Sequence, residues 1–175
     1  ITSLAKKFKF SLITDSAESL GSNYMNKPLG GYGDISVTSL SPNKIITSAQ
    51  GGIVLTDNKK LFKLVEAIKK QGNHVRGDGG SDKFYMKGLN FKLSDIHSAV
   101  ALSQIDLINK RLNNLKKIDK TYQSFLPKDL FYFPKMIGGG KKLWVDCVVK
   151  NKKKIIKFLK NKKIAIRDFW IPMNL

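Results

Sequence analysis

The longest helical pattern of the chain constrains its fold more than any other feature. It begins at Ser94, a suitable N-cap, continues to about Phe125, and ends before Pro127. Apolar residues three and four positions apart form one stripe along the predicted helix: Ile105, Ile108, Leu112, Leu115, Ile118 and Tyr122. Such a stripe packs against a core more often than it binds a ligand. We therefore expect a long helix that joins two parts of the structure.

The segment before this helix alternates strand-like and helix-like runs. Three short runs rich in β-branched or aromatic residues are predicted strands: 8–14, 35–40 and 51–56. Asn58 is expected to cap a helix over Lys59–Gln71, and Gly72 supplies its stop. The loop 73–91 is long and glycine-rich, which is typical of functional or mobile segments. The alternation predicts the α/β class.

The segment after the long helix has its own pattern. Strand-like runs and one basic helix follow each other in the order 130–133, 143–149, 152–163 (the helix) and 164–169. This order predicts a second, smaller α+β lobe. Cys147 lies in the second run, and we expect it to be a small buried thiol.

Composition limits the classes of protein that the chain can belong to. Its 175 residues are 42% hydrophobic and 26% charged, which is a globular composition. No apolar run approaches the roughly 18 residues that cross a bilayer. A single cysteine excludes an internal disulfide and suits a reducing compartment. These features predict a cytoplasmic location and no membrane partner.

The formal net charge of +19 raises the question of a nucleic-acid or anionic-membrane surface. Lysine supplies nearly all of this charge, since the only arginines are Arg76, Arg111 and Arg167. Specific recognition of bases and phosphates depends heavily on the planar fork of arginine. The lysines are also spread along the chain, so direct nucleic-acid binding is disfavoured.

Lys44 has an unusual position for a lysine. It follows the predicted strand 35–40 and precedes the glycine pair that opens the next strand. Asp15 stands at the end of the first strand, where open α/β sheets gather ligands. Taken singly, Lys44 is better explained as a solvated loop residue, and Asp15 is at least as well explained as a turn cap.

Several blocks in a consistent order give these residues a context. The blocks are Asp15-Ser16-Ala17-Glu18, Gly33-Asp34-Ile35, Ser39, Lys44, Gln50-Gly51-Gly52 and Gly88-Leu89-Asn90-Phe91-Lys92-Leu93-Ser94-Asp95. Their order resembles the DegT/DnrJ/StrS family of nucleotide-sugar aminotransferases, which use pyridoxal phosphate. Members have the fold of the aspartate aminotransferase superfamily, fold type I. The resemblance implies a large-domain part with a mixed or parallel sheet over 1–93, a linking helix over 94–126 and an incomplete small C-terminal domain over 127–175.

The resemblance also implies roles for five residues. Lys44 is the expected catalytic residue, which forms an internal Schiff base with the cofactor and then moves a proton. Asp15 is expected to keep the pyridine nitrogen protonated, and Glu18 to lie near the phenolic oxygen of the ring. Ser39 matches a hydroxyl directed at the cofactor phosphate. Asn90 matches a residue that reaches a phosphate from the neighbouring subunit, so a homodimer with shared active sites is implied.

The implied activity is transamination of a keto group on a nucleotide-linked deoxysugar, with glutamate as donor, in surface-polysaccharide or glycoconjugate synthesis. Lys44 stands where a dehydrating branch of the family has histidine, which favours transamination, and no metal is expected. The chain is expected to be a fragment that lacks the N-terminal part and the C-terminal end of a usual member. Two alternatives stay open: a noncatalytic remnant of this fold, and a basic protein that binds nucleic acid or an anionic surface.

Overall fold

The computed structural model describes residues 1–73, 83–171 and 173. The chain divides into two compact units, residues 1–117 with 136–144 and residues 118–135 with 145–175. Within the described ranges, none of the helices has the length and apolar character needed to span a membrane. The loop predicted over 73–91 is described only in part, because residues 74–82 lie outside these ranges.

The first unit contains most of the regular structure. In chain order its elements are helix α1 (Thr2–Phe8), strands β1 (Ile13–Asp15), β2 (Asn23–Tyr24) and β3 (Lys27–Pro28), a 3-10 turn (Leu29–Gly31), strands β4 (Ile35–Ser39) and β5 (Gly52–Leu55), and helices α2 (Lys59–Lys69) and α3 (Asp95–Leu102). A second 3-10 turn (Ile105–Leu107) then leads into helix α4 (Ile108–Phe125).

A three-stranded sheet in the order β1-β4-β5 organises this unit. Strands β1 and β4 are parallel, with Asp15 opposite Val37. Strands β4 and β5 are antiparallel, with Ser39 opposite Gly52. The sheet is therefore mixed and is combined with helices, which confirms the predicted α/β class. Strands β2 and β3 form a separate hairpin.

The strand predicted over 8–14 is wrong for most of its length. Helix α1 extends to Phe8, and only Ile13 and Thr14 of the predicted run are in β1. Lys9 ends the helix in a left-handed conformation with φ 55°, and the Phe10 amide then bonds back to the Ala5 carbonyl at 3.1 Å. The apolar residues of this run thus belong partly to a helix end, which a local strand pattern does not reveal.

Helix α2 agrees with its predicted start and stop. The Asn58 side chain accepts hydrogen bonds from the amides of Lys60 and Leu61, at 2.9 and 3.2 Å. At the other end Gly72 has φ +83°, and its amide donates to the Ala67 carbonyl at 2.8 Å. Asparagine at the N-cap and glycine after the last turn are the residue types that these positions favour.

The single long helix predicted from Ser94 to Phe125 is wrong, because the structure breaks it into α3, a 3-10 turn and α4. The predicted N-cap is confirmed, since the Ser94 hydroxyl accepts from the His97 amide at 3.4 Å. Of the apolar stripe, Leu112 is buried, whereas Ile118 and Tyr122 are about half exposed. At the break, the Ser103 hydroxyl bonds to the Val100 carbonyl at 2.9 Å.

The second unit holds the end of α4, the antiparallel strands β6 (Phe131–Tyr132) and β7 (Val148–Val149), and helix α5 (Lys152–Asn161). These agree with three of its four predicted elements, although both strands are shorter than expected. The strand predicted over 164–169 is wrong, since these described residues form no strand. Cys147 is exposed rather than buried, because it precedes the short strand β7 instead of lying inside a long one.

Buried apolar side chains concentrate around one loop of the first unit. Leu40, Ile45 and Ile46 retain 2%, 8% and 4% of their accessible surface, and all three lie between β4 and β5. The core of this unit is thus built around the segment that carries Lys44.

Candidate active site

Lys44 lies in the connection between β4 and β5, and hydrogen bonds close this connection into a fixed loop. The Leu40 amide donates to the Gly51 carbonyl at 3.0 Å, which continues the β4–β5 ladder. The Leu40 carbonyl accepts from the Ser48 amide and from the Thr47 hydroxyl, both at 2.9 Å. We call residues 40–51 the lysine loop.

The lysine loop places Lys44 beside the core. The next two residues, Ile45 and Ile46, are buried, and the Lys44 amide donates to the Ser41 carbonyl at 3.1 Å. Only 12% of the Lys44 side chain is exposed. Lysine side chains are mostly exposed in folded proteins, so the low exposure of Lys44 favours a specific role over simple solvation of a loop.

The Lys44 ammonium forms an ion pair with one carboxylate oxygen of Glu18. The other oxygen of Glu18 accepts a hydrogen bond from the indole N–H of Trp144 at 3.1 Å. Glu18 is itself 47% exposed, so this arrangement opens to solvent on the Glu18 side. The fold therefore brings together Lys44 and Glu18, two residues singled out in the sequence, and adds Trp144.

Asp15 and Ser39 lie at the same edge of the sheet, because both are the last residues of parallel neighbouring strands. The Ser16 amide, next to Asp15, donates to the Val37 carbonyl of β4 at 2.7 Å. One Asp15 carboxylate oxygen accepts from the Ala17 amide at 3.0 Å, and the carboxylate is exposed at this edge. The Ser39 hydroxyl lies 2.9 Å from the Ser41 hydroxyl.

Asn90 has a different position. It forms a bridge with Lys70 at the end of α2, and it is exposed. The neighbouring amides of Leu89 and Phe91 donate to carbonyls of the same helix, at 2.8 and 3.1 Å. Across the part of the chain that the structure describes, no recorded hydrogen bond or ion pair joins Asn90 to Lys44. Four of the five predicted residues thus gather around the lysine loop and the strand ends, and the fifth does not.

Sequence reasoning missed Trp144 as a partner of this site. It stands 126 residues after Glu18, in the short segment 136–144 that belongs to the first unit. The same segment is tied to the β2 region, because the Lys141 amide donates to the Ser22 hydroxyl at 2.8 Å. The sequence carries no local signal for a contact of this length.

The chemistry of the site follows from its groups. An amine with little exposure, two carboxylates and a hydroxyl lie around one edge of the sheet, which is where α/β proteins bind ligands. The described residues contain no group of three histidine, cysteine or acidic side chains that would hold a metal ion. The amine and the carboxylates that are present are suited to covalent chemistry at an amine and to proton transfer.

Comparison with known proteins finds a family whose model matches the chain. The model of the DegT/DnrJ/EryC1/StrS aminotransferase family matches residues 1–175. The chain is 31% identical over 142 residues to the UDP-4-amino-4,6-dideoxy-N-acetyl-beta-L-altrosamine transaminase of Campylobacter jejuni (strain 81-176), which covers 81% of the chain and 38% of that relative. It is 28% identical to the GDP-perosamine synthase of Escherichia coli O157:H7, over 99% of the chain and 48% of that enzyme.

A solved structure has a similar fold. Helicobacter pylori PseC, an aminotransferase involved in the biosynthesis of pseudoaminic acid, superimposes with a TM-score of 0.82 at 28% identity. The match covers 93% of this chain and 46% of PseC. The chain thus spans less than half the length of each of these three relatives.

Proposed function

The chain belongs to the DegT/DnrJ/EryC1/StrS aminotransferase family, and on this premise we propose that it is part of a pyridoxal-phosphate-dependent aminotransferase. The proposed reaction moves an amino group from an amino acid, with glutamate as the expected donor, to a keto group of a nucleotide-linked deoxysugar. The relatives named above support this substrate class, since they include a UDP-sugar transaminase and a GDP-perosamine synthase. The observation that carries the proposal is the Lys44 side chain, which is only 12% exposed and is ion-paired to Glu18.

The groups around the lysine loop fit pyridoxal phosphate. When bound, this cofactor supplies an aldehyde for covalent attachment and a ring that accepts the electron pair left when a carbon loses its proton. Lys44 offers an amine for the aldehyde, and Asp15 offers a carboxylate for the ring nitrogen. Ser39 offers a hydroxyl for the phosphate, at the same sheet edge as Asp15.

Lys44 is the proposed catalytic residue. With the cofactor bound, its amine would be the point of covalent attachment and, when free again, would serve as a base that carries a proton. Glu18 holds this amine in the free protein, and the Trp144 indole fixes the carboxylate of Glu18 through a hydrogen bond of 3.1 Å. The fixed lysine loop limits the positions that the amine can reach.

Asp15, Glu18, Ser39 and Asn90 are the proposed cofactor-binding residues beside Lys44. Asn90 is exposed and belongs to a different part of the unit, which suits a residue that serves the site of a second copy. A homodimer with shared active sites is therefore part of the proposal. The proposal also includes a cytoplasmic location, a role in surface-polysaccharide or glycoconjugate synthesis, and a division into domains at residues 93 and 126.

The proposal is tested by reduction with borohydride after incubation of the protein with excess pyridoxal phosphate. Peptide mapping by mass spectrometry then locates the pyridoxyl group. We expect it on Lys44, and we expect Lys44→Arg to remove it. Lys60→Arg is the matched control, because Lys60 is an exposed lysine of α2. Labelling that is the same in Lys44→Arg as in Lys60→Arg contradicts the proposed role.

A further inference from the structure

Gln104 lies in the break between α3 and α4 and bonds to the lysine loop at two points. Its side-chain nitrogen donates to the Thr47 carbonyl at 2.7 Å, and its side-chain oxygen accepts from the Thr47 amide at 3.4 Å. Thr47 stands three residues after Lys44. A side-chain amide that pairs with both backbone groups of one residue fixes the orientation of that peptide segment.

The remaining hydrogen-bonding capacity of Gln104 is also used. The same side-chain nitrogen donates to the Val100 carbonyl at 2.6 Å, and the same oxygen accepts from the Arg111 guanidinium at 2.8 Å. A primary amide has two N–H donors and one oxygen with two lone pairs, so every site is occupied. Hydrogen bonds to three residues, Thr47, Val100 and Arg111, therefore fix the orientation of the Gln104 side chain.

Arg111 extends the contact toward Lys44. Its guanidinium donates to the Ile45 carbonyl at 2.7 Å as well as to Gln104. Ile45 follows Lys44 directly and is buried. Hydrogen bonds from a charged donor are stronger than neutral ones, so the backbone is held firmly next to the lysine. We call Gln104 and Arg111 the clamp.

The helix break and the residue spacing explain how the clamp forms. Gln104 precedes the 3-10 turn Ile105–Leu107, so it is not inside a regular helix. Short 3-10 turns are frequent at helix ends and as connectors between helices, and this one leads directly into α4. Arg111 stands seven residues after Gln104, in the first turn of α4, and its guanidinium reaches the Gln104 side-chain oxygen at 2.8 Å.

We infer that Gln104 and Arg111 are positioning residues for Lys44. They hold the lysine loop at residues 45 and 47, and this fixes where the Lys44 amine lies. Neither side chain has a recorded bond to that amine, so their effect passes through the backbone. The inference rests on the proposed function of Lys44, and the experiment below separates the two.

The test compares Gln104→Ala and Arg111→Ala with the control Gln123→Ala. Gln123 is a glutamine of α4 whose amide also makes a hydrogen bond, at 2.7 Å to Asp119, but it has no recorded bond to the lysine loop. The first measurement needs no cofactor and follows amide hydrogen exchange over residues 44–48. Loss of the clamp bonds is expected to speed this exchange roughly tenfold, with no change in the control.

The second measurement is the pyridoxyl occupancy of Lys44 after borohydride reduction. We expect a several-fold fall in both clamp variants, unchanged labelling of the exposed Lys60, and partial recovery in Arg111→Lys, which keeps one charged donor. If Gln104→Ala does not fold, Gln104→Glu keeps the length and the acceptor while it removes the donors.

The outcomes distinguish the two proposals. Unchanged exchange over residues 44–48 in the clamp variants overturns the inference, and so does faster exchange with unchanged Lys44 occupancy. If the unaltered protein carries no pyridoxyl group on Lys44, the proposed function fails. In that case the exchange measurement still decides whether the clamp holds the loop.

Discussion

Gly51 closes the lysine loop, and its replacement by alanine is expected to be costly for two reasons. Its φ is +110°, a conformation that residues with a side chain rarely adopt. An added Cβ would also lie 2.7 Å from a methyl group of Leu93. The Gly51 carbonyl accepts a hydrogen bond from the Leu40 amide at 3.0 Å, so any shift of the Gly51 backbone is transmitted to the segment that carries Lys44.

Gly31 is a closely matched control for this change. A Cβ at Gly31 would also lie 2.7 Å from a side-chain carbon, here the Cε of Lys27. The Lys27 side chain is flexible and can move away, and the φ of Gly31 is not in the positive range. The comparison thus keeps the chemical change and the close distance constant and varies the backbone conformation and the stiffness of the neighbour.

The expected loss of stability in Gly51→Ala follows from the backbone strain at this position. A residue forced into a sparsely populated backbone region costs about 1 to 3 kcal/mol, so we expect Gly51→Ala to lower the free energy of unfolding by about 2 kcal/mol. With a urea m-value of about 2 kcal/mol per molar, the unfolding midpoint should fall by about 1 M. Gly31→Ala should change the free energy by less than about 0.5 kcal/mol. Equal midpoints for the two variants would refute this reasoning.

Two further predictions concern helix α2. Asn58→Ala removes the acceptor of two amide hydrogen bonds and should lower the free energy of unfolding in urea by about 1 kcal/mol. Asn58→Asp should retain most of the stability, because aspartate caps equally well. Equal losses of stability in the two variants would contradict the capping role. Hydrogen bonds from Lys69 and Lys70 lower the pKa of Glu66 from 4.5 to about 2. Because the folded-state pKa is the lower one, the stabilisation is present above pH 4.5 and is lost as the pH falls toward 2. These ion pairs are on the surface, so the difference in the free energy of unfolding between the unaltered protein and Glu66→Gln should shrink by no more than about 1 kcal/mol over that range. A difference in stability that does not depend on pH would exclude the ion pairs as its cause.

The features that the sequence predicted well depend on neighbours within a few residues. Asn58 and Ser94 cap helices through amides two or three residues away, and Gly72 ends α2 through its own φ. Strand β4 and the glycines that open β5 are also local patterns. Such signals are readable because the interacting groups are close in sequence.

The features that the sequence did not predict depend on distant contacts. Gln104 meets Thr47 over 57 positions, and Trp144 meets Glu18 over 126 positions. The apolar stripe continues through the helix break, so periodicity alone predicted one helix where the structure has two. Lys44, Glu18, Asp15 and Ser39 were singled out through the order of motif blocks, and the fold then gathered them at one edge of the sheet.

The position of the pyridoxyl group after borohydride reduction tests the central claim most directly. Lys44 is one of many lysines, most of them more exposed, so random modification would favour the others. The account expects the Lys44 peptide to carry the group at the highest occupancy, with loss of that peak in Lys44→Arg. Preferential labelling of any other lysine would contradict it.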